Sequence, residues 1–231
     1  MEPVSKYFDL TSPGVSDLFA GCAQVWDAVG QIPAIVDRLL GGQRYVKGTV
    51  MPGAFVGDGP VYIAPSAVLE PGSYVVGPAF VGEGVRLRHG SYVRENCVFL
   101  EGSLLGHSGE AKNAIFLPGA RAPHFAYVGD SVLGHRVNLG AGTKVSNATI
   151  TRTKRSTIRL TTPEGEVDTG LRKMGAVVGD DVEVGCNVVL NPGAIIGMRA
   201  LIYPGLSVPK GIHAGDTVMK LRQKIEIAVR Q

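Results

Sequence analysis

The chain has 231 residues, enough to bury a sizeable core in one large domain with or without an appendage. Its formal charge of +3 is too small to point to a nucleic-acid partner, and no basic stretch interleaved with aromatics stands out. Glycine supplies 32 residues, about twice the usual ~7% share, and aromatics only 6%, which suits many turns and short strands better than helices.

Three widely spaced cysteines, Cys22, Cys97 and Cys186, include no CxxC pair, so neither a disulfide framework nor a zinc site is indicated. The first residues lack the basic and apolar regions of a signal peptide, and no uncharged apolar run approaches membrane-spanning length. The expected setting is a soluble, cytoplasmic protein with no membrane partner.

Residues 1–45 differ in pattern from the remainder of the chain. After Thr11-Ser12-Pro13, a capping residue and a proline suited to a first helical turn, Val15, Leu18, Phe19, Val25, Trp26 and Val29 recur near helical spacing. Pro33 is expected to open a second short helix through Leu40, stopped by Gly41-Gly42. This segment reads as a small helical cap without chemistry of its own.

From Ile63 a period of six takes over: Ile63, Leu69, Val75, Val81, Leu87, Val93 and Phe99 fall six apart without a miss. Small residues sit four places after most of them. The period returns at Tyr127, Leu133, Leu139 and Val145, and again from Val178 to Val208. Such a period is the hexapeptide signature of a parallel β-helix, in which three hexads close one triangular coil and coils stack about 4.8 Å apart. A β-sandwich would instead alternate with period two. The expected architecture is all-β, with the β-helix over 46–210 and loop insertions at 106–114 and 148–174. Residues 211–231, with Val218, Leu221, Ile225 and Val229 at helical spacing, are expected to form a C-terminal helix over the last coil.

The second insertion carries the charge. Six basic residues, Arg152, Lys154, Arg155, Arg159, Arg172 and Lys173, face three acids between 151 and 173, an excess equal to that of the whole chain. A small anionic ligand suits this better than a polymer.

The stretch that reads most as chemistry is Pro123-His124-Phe125-Ala126-Tyr127-Val128-Gly129-Asp130, running on to Gly140-Ala141-Gly142-Thr143 and Asn147. Histidine takes a proton near neutral pH, as is needed when an amine loses one while attacking a carbonyl. A backbone N–H of Gly140-Ala141-Gly142 would stabilise the oxyanion.

This block resembles the acetyltransferase domain of the bifunctional enzyme that makes UDP-N-acetylglucosamine. It is more similar still to the C-terminal domain of archaeal-type sugar-1-phosphate nucleotidylyltransferases, which share the later pattern Asp168-Thr-Gly-Leu-Arg172-Lys173-Met-Gly-Ala-Val-Val-Gly-Asp180-Asp181. The resemblance spans roughly residues 48–210 and implies left-handed coiling, a homotrimer with sites between subunits, and acetyl-CoA as acyl donor with no metal.

Residue by residue, the resemblance makes His124 the general base that deprotonates the amine of an amino sugar 1-phosphate, and Ala141 the backbone donor. Asn147 stands near the base. Arg94 and Lys112 match the sugar-phosphate contacts, and Tyr127 and Asn138 the sugar contacts. Cys186 occupies the place of a serine near the acetyl group. With the shifted insertion, Arg152, Lys154, Arg155, Arg172 and Lys173 are candidates for phosphate or coenzyme A. No glycine-rich nucleotide loop precedes the repeats, so nucleotidyl transfer is not expected of this chain.

Plainer readings stand beside these. Arg94 and Lys112 also suit solvated surface charges, Tyr127 a core position of the repeat, and Asn138 and Asn147 ordinary turns. A zinc carbonic anhydrase-type site on the same scaffold needs histidines five apart, whereas His89, His107, His124, His135 and His213 contain no such pair. His89 and His107, 18 apart, are expected to stack, one ligand short of the three usual for catalytic zinc. A third reading is a non-catalytic sugar-phosphate-binding or assembly module.

Overall fold

A computed structural model describes residues 1–12, 14–150, 156–162 and 165–222. The six-residue period becomes a parallel β-solenoid of about nine turns, in agreement with the left-handed hexapeptide-repeat class. Its first strand, Arg44–Val46, pairs in parallel with Val61–Ile63, so coiling begins two residues before the expected boundary.

The repeat aliphatics point inward: Ile63, Leu69, Val75, Val81, Leu87, Val93 and Phe99 are all fully buried in one continuous core. Tyr74 pairs with Tyr92 and Tyr92 with Glu110, 18 residues apart, but Glu110 pairs with Tyr127 and Tyr127 with Lys144, 17 apart. The inward set continues through Leu105, Ala111, Phe116, Ala122, Val128 and Leu133, losing one residue at each of two corners. Those corners hold Asn113 and Asp130, both left-handed with φ of 47°, a conformation Asn and Asp tolerate better than other non-glycine residues.

Two expectations are thereby corrected. Residues 106–114 are not an insertion that leaves the coil; Leu104–His107 and Glu110–Phe116 remain in the ladder, and the phase breaks because a corner is one residue shorter. Tyr127 is not at an inward repeat position; the contraction gives that place to Val128 and turns Tyr127 outward.

The 148–174 segment does leave the coil, since Val132 pairs with Val177, 45 residues on. Its strands Arg159–Thr162 and Gly165–Asp168 form an antiparallel hairpin. The candidates Arg152, Lys154 and Arg155 lie outside the described residues. Farther on, Gly211–His213 and Val218–Met219 extend the solenoid by pairing with Ala194–Ile196 and Leu201–Ile202. Over these residues the ladder edge below outcompetes the expected helix, and 223–231 lie outside the described residues.

The N-terminal segment forms a short helix, Val15–Leu18, and a longer one, Asp27–Leu40. Pro33 lies inside the second rather than opening it. Ala28, Val29, Ile32, Ile35, Val36 and Leu40 make one buried face, whose burial offsets the roughly 3 kcal/mol an interior proline costs. Gly41 ends the helix in the left-handed conformation, as glycine after a helix commonly does. This face, with Ile158 and Leu160 of the hairpin, covers outward apolar residues of the solenoid: Val98, Ile115, Val132, Val177 and Ile195.

One buried carboxylate ties cap to coil. Asp180 accepts hydrogen bonds from the backbone N–H of Asp9 (2.7 Å), the backbone N–H of His135 (2.7 Å) and His135 Nδ1 (2.9 Å). Its own N–H donates to the Tyr7 carbonyl at 2.9 Å. Next to it the exposed Asp181 forms a two-pronged pair with Arg136, which holds its carboxyl below the usual aspartate range. That contribution is present above the ordinary carboxylate pKa of about 4 and is lost as pH falls through the folded value.

Asp180→Ala strands buried donors, at about 1–3 kcal/mol apiece, and should lower the urea midpoint clearly at neutral pH. Asp181→Ala should lower it far less, about 0–1 kcal/mol for an exposed pair. Equal midpoints for the two variants would contradict the tie between cap and coil.

Candidate functional site

The candidate residues fall at two corners of the solenoid and on the strands between them. At the first corner, His89, His107, His124, Ala141 and Cys186 stand on successive coils. The residue after each donates its N–H to the carbonyl one coil earlier: Ser108 to His89 (3.1 Å), Phe125 to His107 (2.9 Å), Gly142 to His124 (2.9 Å) and Asn187 to Ala141 (2.8 Å). His124, Ala141 and Cys186 are therefore aligned along the solenoid axis, although 62 residues separate the first from the last.

The His89 and His107 rings stack at 5.4 Å, as their spacing implies. His89 Nδ1 lies 2.7 Å from the Pro71 carbonyl and His107 Nδ1 3.0 Å from that of His89. A carbonyl only accepts, so each Nδ1 carries a proton and each Nε2 is left as the acceptor in the neutral ring. His124 is exposed at the end of this series. Among the described residues no group of three or more His, Cys, Asp or Glu side chains could hold a metal ion.

Between Gly140 and Gly142, whose N–H groups bond to the carbonyls of Val184 (2.6 Å) and His124 (2.9 Å), lies the partly exposed Ala141, whose N–H meets no backbone acceptor among the described residues. Phe125, beside His124, was not singled out by sequence. It is 55% exposed with φ of 51°, an uncommon conformation for a bulky side chain, and its ring meets His107 edge-on at 5.1 Å.

At the second corner the ladder brings Arg94, Lys112, Tyr127 and Asn147 together. Arg94 donates to Glu110 Oε1 at 3.0 Å, and this bond holds its guanidinium firmly charged. Lys112 Nζ lies 3.6 Å from Asp130 Oδ1 and 3.8 Å from Glu95 Oε1. Asp130, 5% exposed, accepts from Asn113 Nδ2 at 2.9 Å and from Asn147 Nδ2. Gly129 leaves room for this arrangement: a Cβ there would come within 2.6 Å of the Tyr127 hydroxyl and 2.8 Å of Asn147 Nδ2. Burial, with the nearby charges of Glu110 and Asp130, raises the Tyr127 hydroxyl above its ordinary pKa, so it stays a phenol at neutral pH.

Other candidates are placed elsewhere. Asn138 stands on a different face, its Nδ2 donating to Glu183 Oε2 at 3.0 Å, so one chain does not bring it to Tyr127. Lys173 is exposed where the insertion re-enters, next to Met174, whose N–H donates to the Asn147 carbonyl at 3.3 Å. Arg172 is exposed beside it. Cys186 is exposed, whereas burial raises the Cys97 thiol to about 12 and the Cys22 thiol to about 11.

Sequence reasoning missed the acids of the second corner, Glu95, Glu110 and Asp130. The stacking interval that links Lys112 to Arg94 would have found them if applied to their neighbours as well.

No family model matches the chain. Similarity to curated proteins is clear over the repeats. A bifunctional sugar-1-phosphate nucleotidylyltransferase/acetyltransferase of Sulfurisphaera tokodaii is 35% identical over 158 residues, 68% of this chain and 39% of that protein. The bifunctional protein GlmU of Methanococcus vannielii is 35% identical over 130 residues, 56% of this chain and 30% of that one. The resemblance to these hexapeptide-repeat enzymes stands. The chain spans well under half the length of these relatives. Among solved structures, the acetyltransferase domain of PglB from Neisseria gonorrhoeae aligns over 69% of this chain and 56% of its own at 14% identity, with a TM-score of 0.28, too low to carry any argument. In the described residues no helix is long and apolar enough to cross a membrane.

The thiolate is the reactive form of cysteine, so a mild thiol reagent at neutral pH should modify Cys186 first and Cys97 only on unfolding. Mass mapping of the labelled peptides checks this; early modification of Cys97 would contradict its burial.

Proposed function

We propose that the chain is an acetyl-CoA-dependent N-acetyltransferase acting on an amino sugar 1-phosphate, glucosamine 1-phosphate or galactosamine 1-phosphate, and working as a homotrimer. The observation that carries this is the alignment of His124, Ala141 and Cys186 along one corner, with Arg94, Lys112 and Tyr127 gathered at the other. The names of the relatives, which include acetyltransferase and sugar-1-phosphate activities, support it.

In this reading Arg94 and Lys112 hold the phosphate and the Tyr127 hydroxyl the sugar. His124 takes the proton from the amine as its nitrogen attacks the thioester carbonyl. The carbonyl oxygen, now an oxyanion, receives the Ala141 N–H, a term typically worth about 3–4 kcal/mol. Collapse of the adduct forms the amide bond, breaks the C–S bond and expels coenzyme A thiolate, which recovers the proton from His124.

Assembly is part of this reading. His124 lies five positions before Gly129, the residue stacked on Lys112. At about 3.3 Å per residue the two corners stand at most roughly 16 Å apart along the backbone, at the two ends of one face bounded by the left-handed residues Phe125 and Asp130. A second copy supplying its histidine corner to the first copy's Arg94 and Lys112 would complete the site, and Asn138, on the face of the Arg121–His124 strand, would enter with it.

Incubation with acetyl-CoA and either amino sugar 1-phosphate should release free thiol, with kcat falling about 10²–10⁴-fold in His124→Ala. No release with either sugar, or an unimpaired variant, would sink the proposal. Coenzyme A should also slow the labelling of Cys186 in the wild-type protein; an unchanged labelling rate at saturating coenzyme A would remove this corner from the donor site. Sugar-phosphate binding without any response to acetyl-CoA would favour the non-catalytic module instead.

A further inference from the structure

The two cations of the second corner already have an anion between them. Glu95 points one carboxylate oxygen at each: Oε2 lies 3.6 Å from Arg94 Nε, and Oε1 lies 3.8 Å from Lys112 Nζ. Glu110 and Asp130 also pair with these cations, but in different settings. Asp130 is buried and satisfied by two asparagine amides, and Glu110 makes a direct 3.0 Å bond to Arg94. Among the described residues Glu95 has only these two ion pairs, at 3.6 and 3.8 Å, and its side chain is 40% exposed. It sits at a corner next to Asn96, which has φ of 58°, so its side chain projects from a turn rather than from a packed strand.

We propose that Glu95 is a specificity-determining residue of the acceptor site, a resident counter-ion that occupies the phosphate position and yields it only to a more highly charged group. This rests on the reading of Arg94 and Lys112 as phosphate contacts. A carboxylate and a phosphate offer the same cations similar oxygen ligands. The carboxylate carries one negative charge, and a phosphate ester carries about two above its second ionisation near pH 6. An incoming phosphate therefore exchanges with Glu95, which swings into water at the cost of weak, partly screened pairs. An uncharged sugar has nothing with which to displace it. Asp130 cannot make the same exchange, because its release would leave the amides of Asn113 and Asn147 unpaired.

The test is calorimetric titration of the wild-type protein and Glu95→Gln with glucosamine 1-phosphate and with methyl glucosaminide, which has the same amino sugar but no phosphate. Gln keeps the shape and removes the charge at a partly exposed position, so folding should be unaffected. The expected result is about fivefold tighter binding of glucosamine 1-phosphate by the variant, the equivalent of one partly exposed ion pair, with no gain for methyl glucosaminide. Equal affinity of the two proteins for glucosamine 1-phosphate would overturn the role of Glu95 while leaving the site assignment intact. An equal gain for both ligands would also overturn it, by placing the carboxylate against the sugar. Absence of binding by both proteins would overturn this inference and the sugar-phosphate reading together.

Discussion

Parallel stacking of coils is the constraint on which everything else in this molecule depends. Each backbone N–H and C=O of a repeat strand needs a partner in the coil above or below, so the ladder decides which residues become neighbours whatever their distance in sequence. Ala141 and Cys186 meet because the ladder closes over the inserted hairpin between them, Asn187 donating to Ala141 as Gly142 donates to His124. A surface built this way is rigid, since moving one side chain's backbone would break hydrogen bonds on two sides. Such a scaffold suits chemistry that depends on holding a base and an oxyanion donor in register.

The same constraint explains the corner where the charges gather. The coil shortens from 18 to 17 residues at Asn113 and Asp130, which like other corner residues are left-handed, a conformation short polar side chains tolerate while bonding locally. The shortening turns Tyr127 outward and tucks the Asp130 carboxylate beneath Lys112 and Asn147. The helical cap answers a different demand. A solenoid with Val98, Ile115, Val132, Val177 and Ile195 on its outer surface would expose a continuous apolar stripe, and Asp27–Leu40 has the complementary buried face.

Most of the fold was legible because the interior of a β-helix asks the same thing of every coil. Inward aliphatics at Ile63, Leu69 or Val184 carry the period irrespective of what the outer surface does. The misreadings lie where two signals compete. Pro33 suggested a helix start, but the apolar face from Ala28 to Leu40 outweighed the missing hydrogen bond. The phase break near Lys112 suggested an added loop, although a shortened corner breaks the phase equally well. Val218 and Leu221 suggested a helix, while an unpaired ladder edge lay beneath Val218. At the candidate site, the motif brought His124 and Ala141 forward as candidates, and the ladder aligns them at one corner. Glu95 and Glu110 were not brought forward, because an exposed acid beside a base reads in one dimension as an ordinary solvated surface.

Those acids change the electrostatics of the second corner. Two cations with three carboxylates around them do not form an open anion trap; the corner is already neutralised, and on the proposed reading a phosphate would enter by exchange rather than capture. Exchange limits the gain in binding energy, because each new contact replaces one that existed. It also means that the cations have partners before any ligand arrives: Arg94 is bonded to Glu110 at 3.0 Å, and Lys112 lies 3.6 Å from the buried Asp130. Long basic side chains lose up to about 2 kcal/mol of conformational freedom when immobilised, and here that loss falls largely on folding instead of binding. For a group-transfer site this division is useful, since tight ground-state binding of the acceptor adds nothing to the rate of the chemical step. Stacked coils thus supply both halves of the arrangement, a pre-set array of charges at one corner and, at the other, an aligned histidine and backbone N–H that the proposed reaction would use as base and donor.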